Sequence, residues 1–415
     1  MVNTKGPLAT SVFRHVPATP PDPIFELTMQ YIKDDNTNKV NLGAGAYRDD
    51  NAQPWVLSAV LAAKIKIAND PYDNHEYPPI AGRPKFRALA AKCIFGAESP
   101  AILEGRVASN QTISGTGANH LAGLFLRTFH PQANLYLSSP TWTNHHALYE
   151  SVGFLHAKDY PYWDAENKVL DIEGMLSCMR SAPEGSIFLL HACAHNPTGV
   201  DPSPEQWSLI ADAMQEKKHI PLFDSAYQGF ASGNLDKDAY SVRLFVERGF
   251  ELFVCQSFSK NLGIYAERTG ALHIVTRDSV SASCVSTQLA DLTRSEISCT
   301  PAYGAKIAEE VLSDDVLYAQ WRDQDLPLMA GRIIEMRQAL HKLLTQLQTP
   351  GNWDHIITQI GMFSYTGLTP AQCQTLIEEH SIYLASNGRI SISGLNTHNI
   401  AYFAQAMDKV VRTVQ

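Results

Sequence analysis

Short apolar runs alternate with amphipathic stretches along the middle of the chain. The apolar runs cover residues 134–137, 187–190, 220–223, 252–254 and 271–275, and the clearest amphipathic stretch covers residues 204–217. That stretch has proline in its first turn and lysine at its end, as the helix dipole favours. Strands and helices that alternate in this way are typical of an α/β fold with a mostly parallel, doubly wound sheet.

A second unit follows the predicted sheet. Residues 328–347 carry apolar side chains at helical spacing, and residues 356–366 and 390–393 predict strands that flank a further helix. We therefore expect a small α+β domain that is entered by a long bridging helix. The predicted parts are residues 1–54, an N-terminal arm with part of the small domain, residues 55–325, the large domain, and residues 326–415, the remainder of the small domain.

Composition excludes several classes of protein. The chain has 415 residues, 18% of them charged, and a net charge of −9 without any basic block, which argues against non-specific nucleic-acid binding. The first residues lack the apolar run of a signal peptide, and no run of about 18 apolar residues predicts a membrane span. Seven cysteines without a C-x-x-C pair favour buried thiols in a reducing compartment, so we expect a cytoplasmic protein.

Three polar clusters each follow a predicted strand, at residues 191–199, 224–229 and 257–261. In open α/β sheets, ligands bind outside the carboxyl ends of the strands, so these clusters are expected to meet at one crevice. A fourth cluster, residues 114–117 (Ser-Gly-Thr-Gly), precedes a helix, where free backbone N–H groups can hold a phosphate. The sequence therefore predicts an anion site beside the crevice.

Each cluster taken alone has an ordinary explanation. The glycines of residues 114–117 match neither a dinucleotide fingerprint nor a P-loop. The run His191-x-Cys193-x-His195 lacks a second group at zinc spacing, which favours buried, hydrogen-bonded histidines over a metal site. Asp224 alone is most often a helix cap or an ion-pair partner, and Lys260 alone is most often a solvated lysine.

Together, an acid at one strand end, a lysine at the next and a phosphate cradle are what pyridoxal 5'-phosphate requires. At this point the sequence resembles the aspartate aminotransferase family of fold-type I pyridoxal-phosphate enzymes, and most of all its eukaryotic cytosolic form. The resemblance covers nearly the whole chain. Its ordered motifs are residues 11–13 (Ser-Val-Phe), 41–48 (Asn-Leu-Gly-Ala-Gly-Ala-Tyr-Arg), 75–77 (His-Glu-Tyr), 140–142 (Pro-Thr-Trp), 265–268 (Tyr-Ala-Glu-Arg) and 388–391 (Gly-Arg-Ile-Ser).

The resemblance implies a role for each residue that matches the family's cofactor site. Lys260 would bond covalently to the cofactor and carry the proton, and Asp224, with His145 behind it, would pair with the ring nitrogen. Asn196 and Tyr227 would hydrogen-bond the ring hydroxyl oxygen. The phosphate and ring contacts implied are Gly115, Thr116, Ser257, Arg268, Trp142 and the partner subunit's Tyr77. The large domain would then be the cofactor-binding one.

The resemblance also implies a dicarboxylic substrate and a homodimer with shared active sites. Arg389 would bind the substrate's α-carboxylate, and Arg294, lent by the partner, would bind the distal carboxylate. Gly45, on the loop that closes over the substrate, and Trp142 and Asn196, beside it, complete the substrate contacts implied. Ordinary readings stay open, since Arg268 can be a structural ion pair, and Gly45 a turn glycine.

Residues 293–301 depart most from the family pattern. Ile297 stands where the family has an aromatic residue, and Glu296 adds an anion two residues from Arg294. This loop is expected to reach the neighbouring active site, where an inward Glu296 would neutralise Arg294. The smaller departures are Ala44 and Ala266 in substrate-side loops, Thr269 after the phosphate arginine, Asn119-His120 after the phosphate loop, and residues 385–387 before Gly388.

Three functions follow. The first is an aminotransferase that interconverts L-aspartate and 2-oxoglutarate with oxaloacetate and L-glutamate by a ping-pong mechanism. The second is a related enzyme that carries out β-elimination, β-decarboxylation or carbon–carbon bond formation on an acidic amino acid. The third is a protein that binds a ligand without catalysis. The intact Lys260 and Asp224 argue against the last.

Overall fold

The computed structural model describes residues 11–414 of the chain. Its strands are β1 Val40–Asn41, β2 Val107–Ile113, β3 Leu135–Ser139, β4 Lys158–Pro161, β5 Trp163–Asp164, β6 Val169–Leu170, β7 Ile187–His191, β8 Ile220–Ser225, β9 Leu252–Ser257, β10 Thr269–Val275, β11 Phe363–Tyr365, β12 Ile382–Tyr383 and β13 Arg389–Ser391.

The helices surround these strands. They are α1 Pro23–Lys33, α2 Ser58–Ala68, α3 Pro84–Phe95, α4 Pro100–Leu103, α5 Ser114–Phe129, α6 Asn144–Ser151, α7 Ile172–Ser181, α8 Pro204–Glu216, α9 Leu235–Asp238, α10 Tyr240–Glu247, α11 Ser279–Ile297, α12 Tyr303–Ser313, α13 Asp315–Gln320, α14 Leu326–Gln346, α15 His355–Thr358, α16 Pro370–His380 and α17 Ile400–Thr413. Short 3₁₀ turns cover Tyr265–Glu267 and Ile392–Gly394, and a π turn covers Trp321–Asp325.

A seven-stranded sheet forms the centre of the large domain, in the order β2-β10-β9-β8-β7-β3-β4. Only β10 runs antiparallel to its neighbours. Alternate residues of each central strand enter different cores: Phe223 packs on the side of α8, and Leu222 on the side of α5. The predicted mostly parallel, doubly wound sheet is therefore confirmed.

The start of helix α8 explains the strongest sequence signal. Ser203 accepts a hydrogen bond from the backbone N–H of Gln206, whose side chain accepts one in return from the backbone N–H of Ser203. This capping box satisfies two N–H groups that a helix end leaves free, and Pro204 at the first position has no N–H to satisfy. Trp207 and Met214 then lie on the buried face.

The C-terminal part differs from the prediction at one place. Residues 356–366 do not form one strand, because α15 occupies His355–Thr358 and only Phe363–Tyr365 is extended. A short apolar run suits a buried helical turn as well as a strand, and here buried Arg337 donates hydrogen bonds to the carbonyl oxygens of Ile356 and Gly361, which fixes the bend. The long helix is present as α14, and β13 is followed by a 3₁₀ turn.

The N-terminal segment joins the C-terminal part through β1, which pairs in parallel with β12. Residues 11–22 are exposed, as expected for an arm, whereas residues 1–10 of the predicted arm lie outside the described residues. The domain boundaries themselves stay a prediction. No helix within residues 11–414 is both long and apolar enough to cross a membrane.

The cysteines are all free, but they are not all buried. Cys284 is exposed, and Cys178 and Cys299 are partly exposed, which corrects the expectation of seven buried thiols. Cys178 and Cys284 belong to α7 and α11, helices whose outer faces meet solvent.

Candidate active site

One pocket lies at the carboxyl ends of β7, β8 and β9, where the three polar clusters were expected to meet. Asp224 is at the end of β8, Lys260 is three residues beyond β9, and Asn196 is in the loop after β7. The pocket encloses about 570 Å³ including its open mouth. Its lining is Ser114, Gly115, Thr116, Trp142, His191, Cys193, Asn196, Asp224, Ala226, Tyr227, Ser257, Ser259, Lys260 and Arg268.

Hydroxyl groups and a helix end form one side of the pocket. The Ser114 hydroxyl lies 3.0 Å from the Ser257 hydroxyl and 2.8 Å from that of Ser259. A Cβ atom on Gly115 would lie 3.1 Å from the Cβ of Ser257, so a side chain there would crowd the space in front of the α5 N-terminus. Arg268 lines the same pocket with its guanidinium tied to the Tyr265 carbonyl oxygen at 3.0 Å. Free N–H groups, hydroxyls and a cation suit a phosphate.

Asp224 supplies a negative charge at the other side. Burial raises its pKa, but the hydrogen bond from His145 (Nε2 to Oδ2, 3.1 Å) and the positive charge of Lys260 act in the opposite direction, and the pKa lies below its ordinary value. Trp142 packs edge-on against His145, with ring centres 5.1 Å apart. The carboxylate is therefore ionised and fixed in orientation.

A chain of hydrogen bonds behind Asp224 has a defined direction. The backbone N–H of Asn196 donates to Nδ1 of His191 (3.1 Å), and burial lowers the His191 pKa to about 3, so this ring is neutral and carries its proton on Nε2. That N–H faces the Thr141 hydroxyl at 3.3 Å, which in turn faces Nδ1 of His145 at 2.7 Å. The order assigns the proton of His145 to Nε2, facing Asp224.

Lys260 and Tyr227 form the third part of the pocket. Burial lowers the pKa of Lys260, while the charge of Asp224 opposes this shift, and a lower pKa gives more of the neutral amine that acts as a nucleophile. The Lys260 Nζ atom lies 5.6 Å from the centre of the Tyr227 ring. Burial and the charge of Asp224 raise the Tyr227 pKa, so its hydroxyl stays protonated and can donate a hydrogen bond.

Arg389 lies next to this pocket with unused donors. It is 7% exposed, donates from Nη2 to the Gly43 carbonyl oxygen (2.9 Å), and its guanidinium carbon is 4.3 Å from the centre of the Phe363 ring. Its buried Nε has no hydrogen-bond partner among the described residues. Gly45 borders the same place, since a Cβ there would lie 3.3 Å from Phe363. A buried guanidinium with a free N–H suits a carboxylate ligand.

Tyr77 and Arg294, predicted to serve the partner's site, do not join this pocket. Tyr77 is 80% exposed and lines another pocket with Arg83 and Lys306. Arg294 is exposed and donates a hydrogen bond to the Ser298 hydroxyl. Neither position contradicts a role across a dimer interface, and both roles stay predictions.

Residues 293–301 are not a simple loop. Helix α11 continues to Ile297, and Ser298 then turns the chain with φ 66° and a hydrogen bond from the Cys299 N–H to the Ile297 carbonyl oxygen (2.8 Å). These features define a γ-turn. Glu296 pairs with His120 (Oε2 to Nε2, 3.0 Å) and makes no ion pair with Arg294, so the neutralised arrangement is not the one observed.

Sequence reasoning did not assign every residue that the site uses. Ser114 and Ser259 fall inside clusters recognised from the sequence, and their spacing to Gly115 and Lys260 was the available signal. Thr141 falls inside the quoted motif of residues 140–142 but was given no role, and Phe363 gave no signal, because their roles depend on distant residues. Within residues 11–414 no group of three ligating side chains is placed for a metal ion. His195 bonds the Ser138 and Thr198 hydroxyls, as buried histidines without a metal do.

Comparisons with known proteins agree with this geometry. A family model described as "Aminotransferase class I and II" matches residues 37–407. A Schizosaccharomyces pombe protein named "Aspartate aminotransferase, cytoplasmic" is 50% identical over 403 residues, which are 96% of this chain and 98% of that protein.

Solved structures give the same result. The aspartate aminotransferase from Saccharomyces cerevisiae cytoplasm has a TM-score of 0.94 and 51% identity, with coverage of 97% of this chain and 99% of that one. An aromatic-amino-acid aminotransferase from Burkholderia pseudomallei, covalently bound to pyridoxal phosphate, has a TM-score of 0.93 and 38% identity, with coverage of 97% and 100%.

Proposed function

The chain belongs to the class I and II aminotransferase family, and from this premise we propose that it is a cytoplasmic, pyridoxal-phosphate-dependent aspartate aminotransferase. It interconverts L-aspartate and 2-oxoglutarate with oxaloacetate and L-glutamate by a ping-pong mechanism. The observation that carries the proposal is that Asp224, Lys260 and the phosphate cradle line one pocket. The relatives at about half identity support the substrate.

The pocket fits pyridoxal 5'-phosphate at each of its chemical groups. The cradle of Gly115, Thr116, Ser257 and Arg268 matches a phosphate, and the ionised Asp224 matches a protonated ring nitrogen. When bound, this cofactor withdraws electrons from the substrate's α-carbon. Trp142 lines the same pocket and would cover the ring, and the hydrogen bond from His145 helps to keep the pKa of Asp224 below its ordinary value.

Lys260 is the group that holds and moves the proton. In its neutral form Nζ can accept a proton from the substrate's α-carbon and return it, and burial favours that form. The protonated Tyr227 and the Asn196 amide line the same pocket and supply hydrogen-bond donors to the ring hydroxyl oxygen. Tyr227 and Asn196 are buried, which limits the access of water on their side of the pocket.

Two arginines select the substrate. Arg389, whose guanidinium is buried beside the pocket, binds the α-carboxylate that all amino acids share. Arg294 comes from the partner subunit of a two-fold homodimer and binds the distal carboxylate of aspartate or glutamate, while Tyr77 of that subunit reaches the cofactor's phosphate. A guanidinium left without its anion is unfavourable, so dicarboxylic amino acids are preferred over alanine or phenylalanine.

Borohydride reduction followed by peptide mapping tests the cofactor assignment. We expect the cofactor to be fixed on Lys260, and Lys260→Ala to retain it only non-covalently with a loss of turnover by orders of magnitude. Label on another lysine would overturn the assignment.

The reaction is tested with L-aspartate alone. A transaminase stops after one half-reaction and resumes on addition of 2-oxoglutarate. Continuous release of product without a keto acid would instead identify the enzyme that eliminates, decarboxylates or forms a carbon–carbon bond.

Shared sites are tested by mixing inactive variants. Lys260→Ala mixed with Arg294→Ala should regain activity through heterodimers with one intact site, whereas Lys260→Ala mixed with Arg389→Ala is the matched control in which both changes fall in roles of the same subunit's site. No regain in the first mixture, with subunit exchange verified, would contradict shared sites.

A further inference from the structure

Two side chains that belong to different helices, His120 of α5 and Glu296 of α11, touch each other beside the phosphate cradle. His120 lies in the second turn of α5, the helix whose start forms the phosphate cradle, and Glu296 is the next-to-last residue of α11. Their side chains meet at 3.0 Å between Nε2 and Oε2, although they are 176 positions apart in the sequence. Both line a cavity of about 1100 Å³, including its open mouth, that also includes Thr116 and Arg268.

Arg294 lies two residues before Glu296 on the same helix. Residues at this spacing are about 200° apart around a helix, so Glu296 does not face Arg294 while α11 is intact. However, Glu296 belongs to the last turn, and a carboxylate this close opposes the approach of another anion without touching the arginine, because Coulomb interactions act over several ångströms. Arg294 is held at its other side by the Ser298 hydroxyl.

We propose that His120 is a specificity-determining positioning residue, which holds Glu296 on the α5 side and so keeps Arg294 available for the distal carboxylate of the substrate. The inference rests on the proposed function, in which Arg294 binds that carboxylate. His120 is not among the residues that line the pocket of Asp224 and Lys260. The hydrogen bond from His120 fixes the Glu296 carboxylate and disperses part of its negative charge. Without it, that charge competes with the substrate's distal carboxylate for Arg294.

The proposal predicts a selective kinetic effect. His120→Ala should lower kcat/KM for aspartate about fivefold, mainly through KM, the size expected when one exposed carboxylate near the substrate loses its hydrogen-bonded partner. For alanine, which has no distal carboxylate, kcat/KM should not fall. His120→Gln, which retains an N–H donor, should resemble the parent enzyme.

A second substitution separates this role from a structural one. Glu296→Gln alone should leave kcat/KM for aspartate unchanged or slightly raised, and Glu296→Gln added to His120→Ala should restore it. The matched control is His341→Ala, which breaks the similar pair of His341 and Asp354 (2.9 Å) on the C-terminal part and should change nothing.

Two outcomes would overturn the inference. If His120→Ala lowers kcat/KM equally for aspartate and alanine, or if Glu296→Gln does not rescue it, His120 only supports α5. Arg294→Ala separates this from failure of the proposed function: loss of the preference for aspartate in Arg294→Ala, with no effect of His120→Ala, contradicts the inference alone. An unchanged preference in Arg294→Ala contradicts the substrate assignment itself.

Discussion

Replacing Arg389 with lysine should weaken the enzyme against every amino-acid substrate by a similar factor. Arg389 is almost completely buried, donates one hydrogen bond to the Gly43 carbonyl oxygen, and leaves its Nε free. Lysine keeps the positive charge but loses the flat fork that binds a carboxylate at two points.

The magnitude follows from the number of donors lost. One hydrogen bond to a charged group contributes about 1.5–3 kcal/mol, and lysine forfeits about one such bond to the α-carboxylate. Because about 1.4 kcal/mol is a factor of ten, kcat/KM should fall about 10- to 150-fold. The contact of the guanidinium with the Phe363 ring at 4.3 Å is also lost, which places the result towards the upper end.

The assay is steady-state kinetics of Arg389→Lys with aspartate and with alanine, each with 2-oxoglutarate. Both substrates carry an α-carboxylate, so both values of kcat/KM should fall by a similar factor, whereas Arg294→Lys should affect aspartate far more than alanine. Retention of the cofactor's absorbance and of the thermal midpoint serves as the control for folding. A loss under threefold, or one confined to aspartate, would refute the assignment of Arg389 to the α-carboxylate.

Two further predictions concern stability. Arg337→Met should lower the free energy of unfolding, measured by denaturant titration, by about 3 kcal/mol. The reason is that the buried guanidinium donates hydrogen bonds to the carbonyl oxygens of Ile356, Gly361 and Phe363. A change below about 1 kcal/mol would contradict this prediction. Burial lowers the pKa of His273 to about 3 from an ordinary 6.5, so the folded state binds fewer protons between these values and stability falls as pH is lowered through that window. His273→Gln should reduce this slope by up to about 1.4 kcal/mol per pH unit, and an unchanged slope between pH 6.5 and 4.5 would show that the histidine titrates normally.

The sequence predicted the site better than it predicted the sheet that carries it. Asp224 and Lys260 could be placed because each follows a strongly apolar strand, and parallel strands bring their carboxyl ends to one edge. Strand β2, in contrast, contains buried Asn110 and Gln111 and therefore gives no apolar run. The N–H groups of those amides donate to distant partners, the Thr293 hydroxyl (3.0 Å) and the Pro301 carbonyl oxygen (2.8 Å), which no local pattern reveals.

Strand β4 was missed for a different reason. It lies at the sheet edge, pairs only with β3, and of its four residues only Tyr160 is buried. Exposed edge strands need few apolar residues, so hydrophobic periodicity does not report them. The contact of His120 with Glu296 is likewise invisible to sequence patterns, because it depends on how two helices far apart in the chain are packed.

The hydrogen-bond chain behind Asp224 has a consequence for protein engineering. Its direction is set by the backbone N–H of Asn196, a donor that no change of pH can reverse. Transplanting only a lysine and an aspartate into another sheet would therefore leave the new carboxylate free to take up a proton in a buried pocket. A designed site would need the loop after β7 together with Thr141, His145 and His191. The smallest transferable unit of this pocket is therefore a backbone segment with its hydrogen-bonded side chains, and not a pair of side chains.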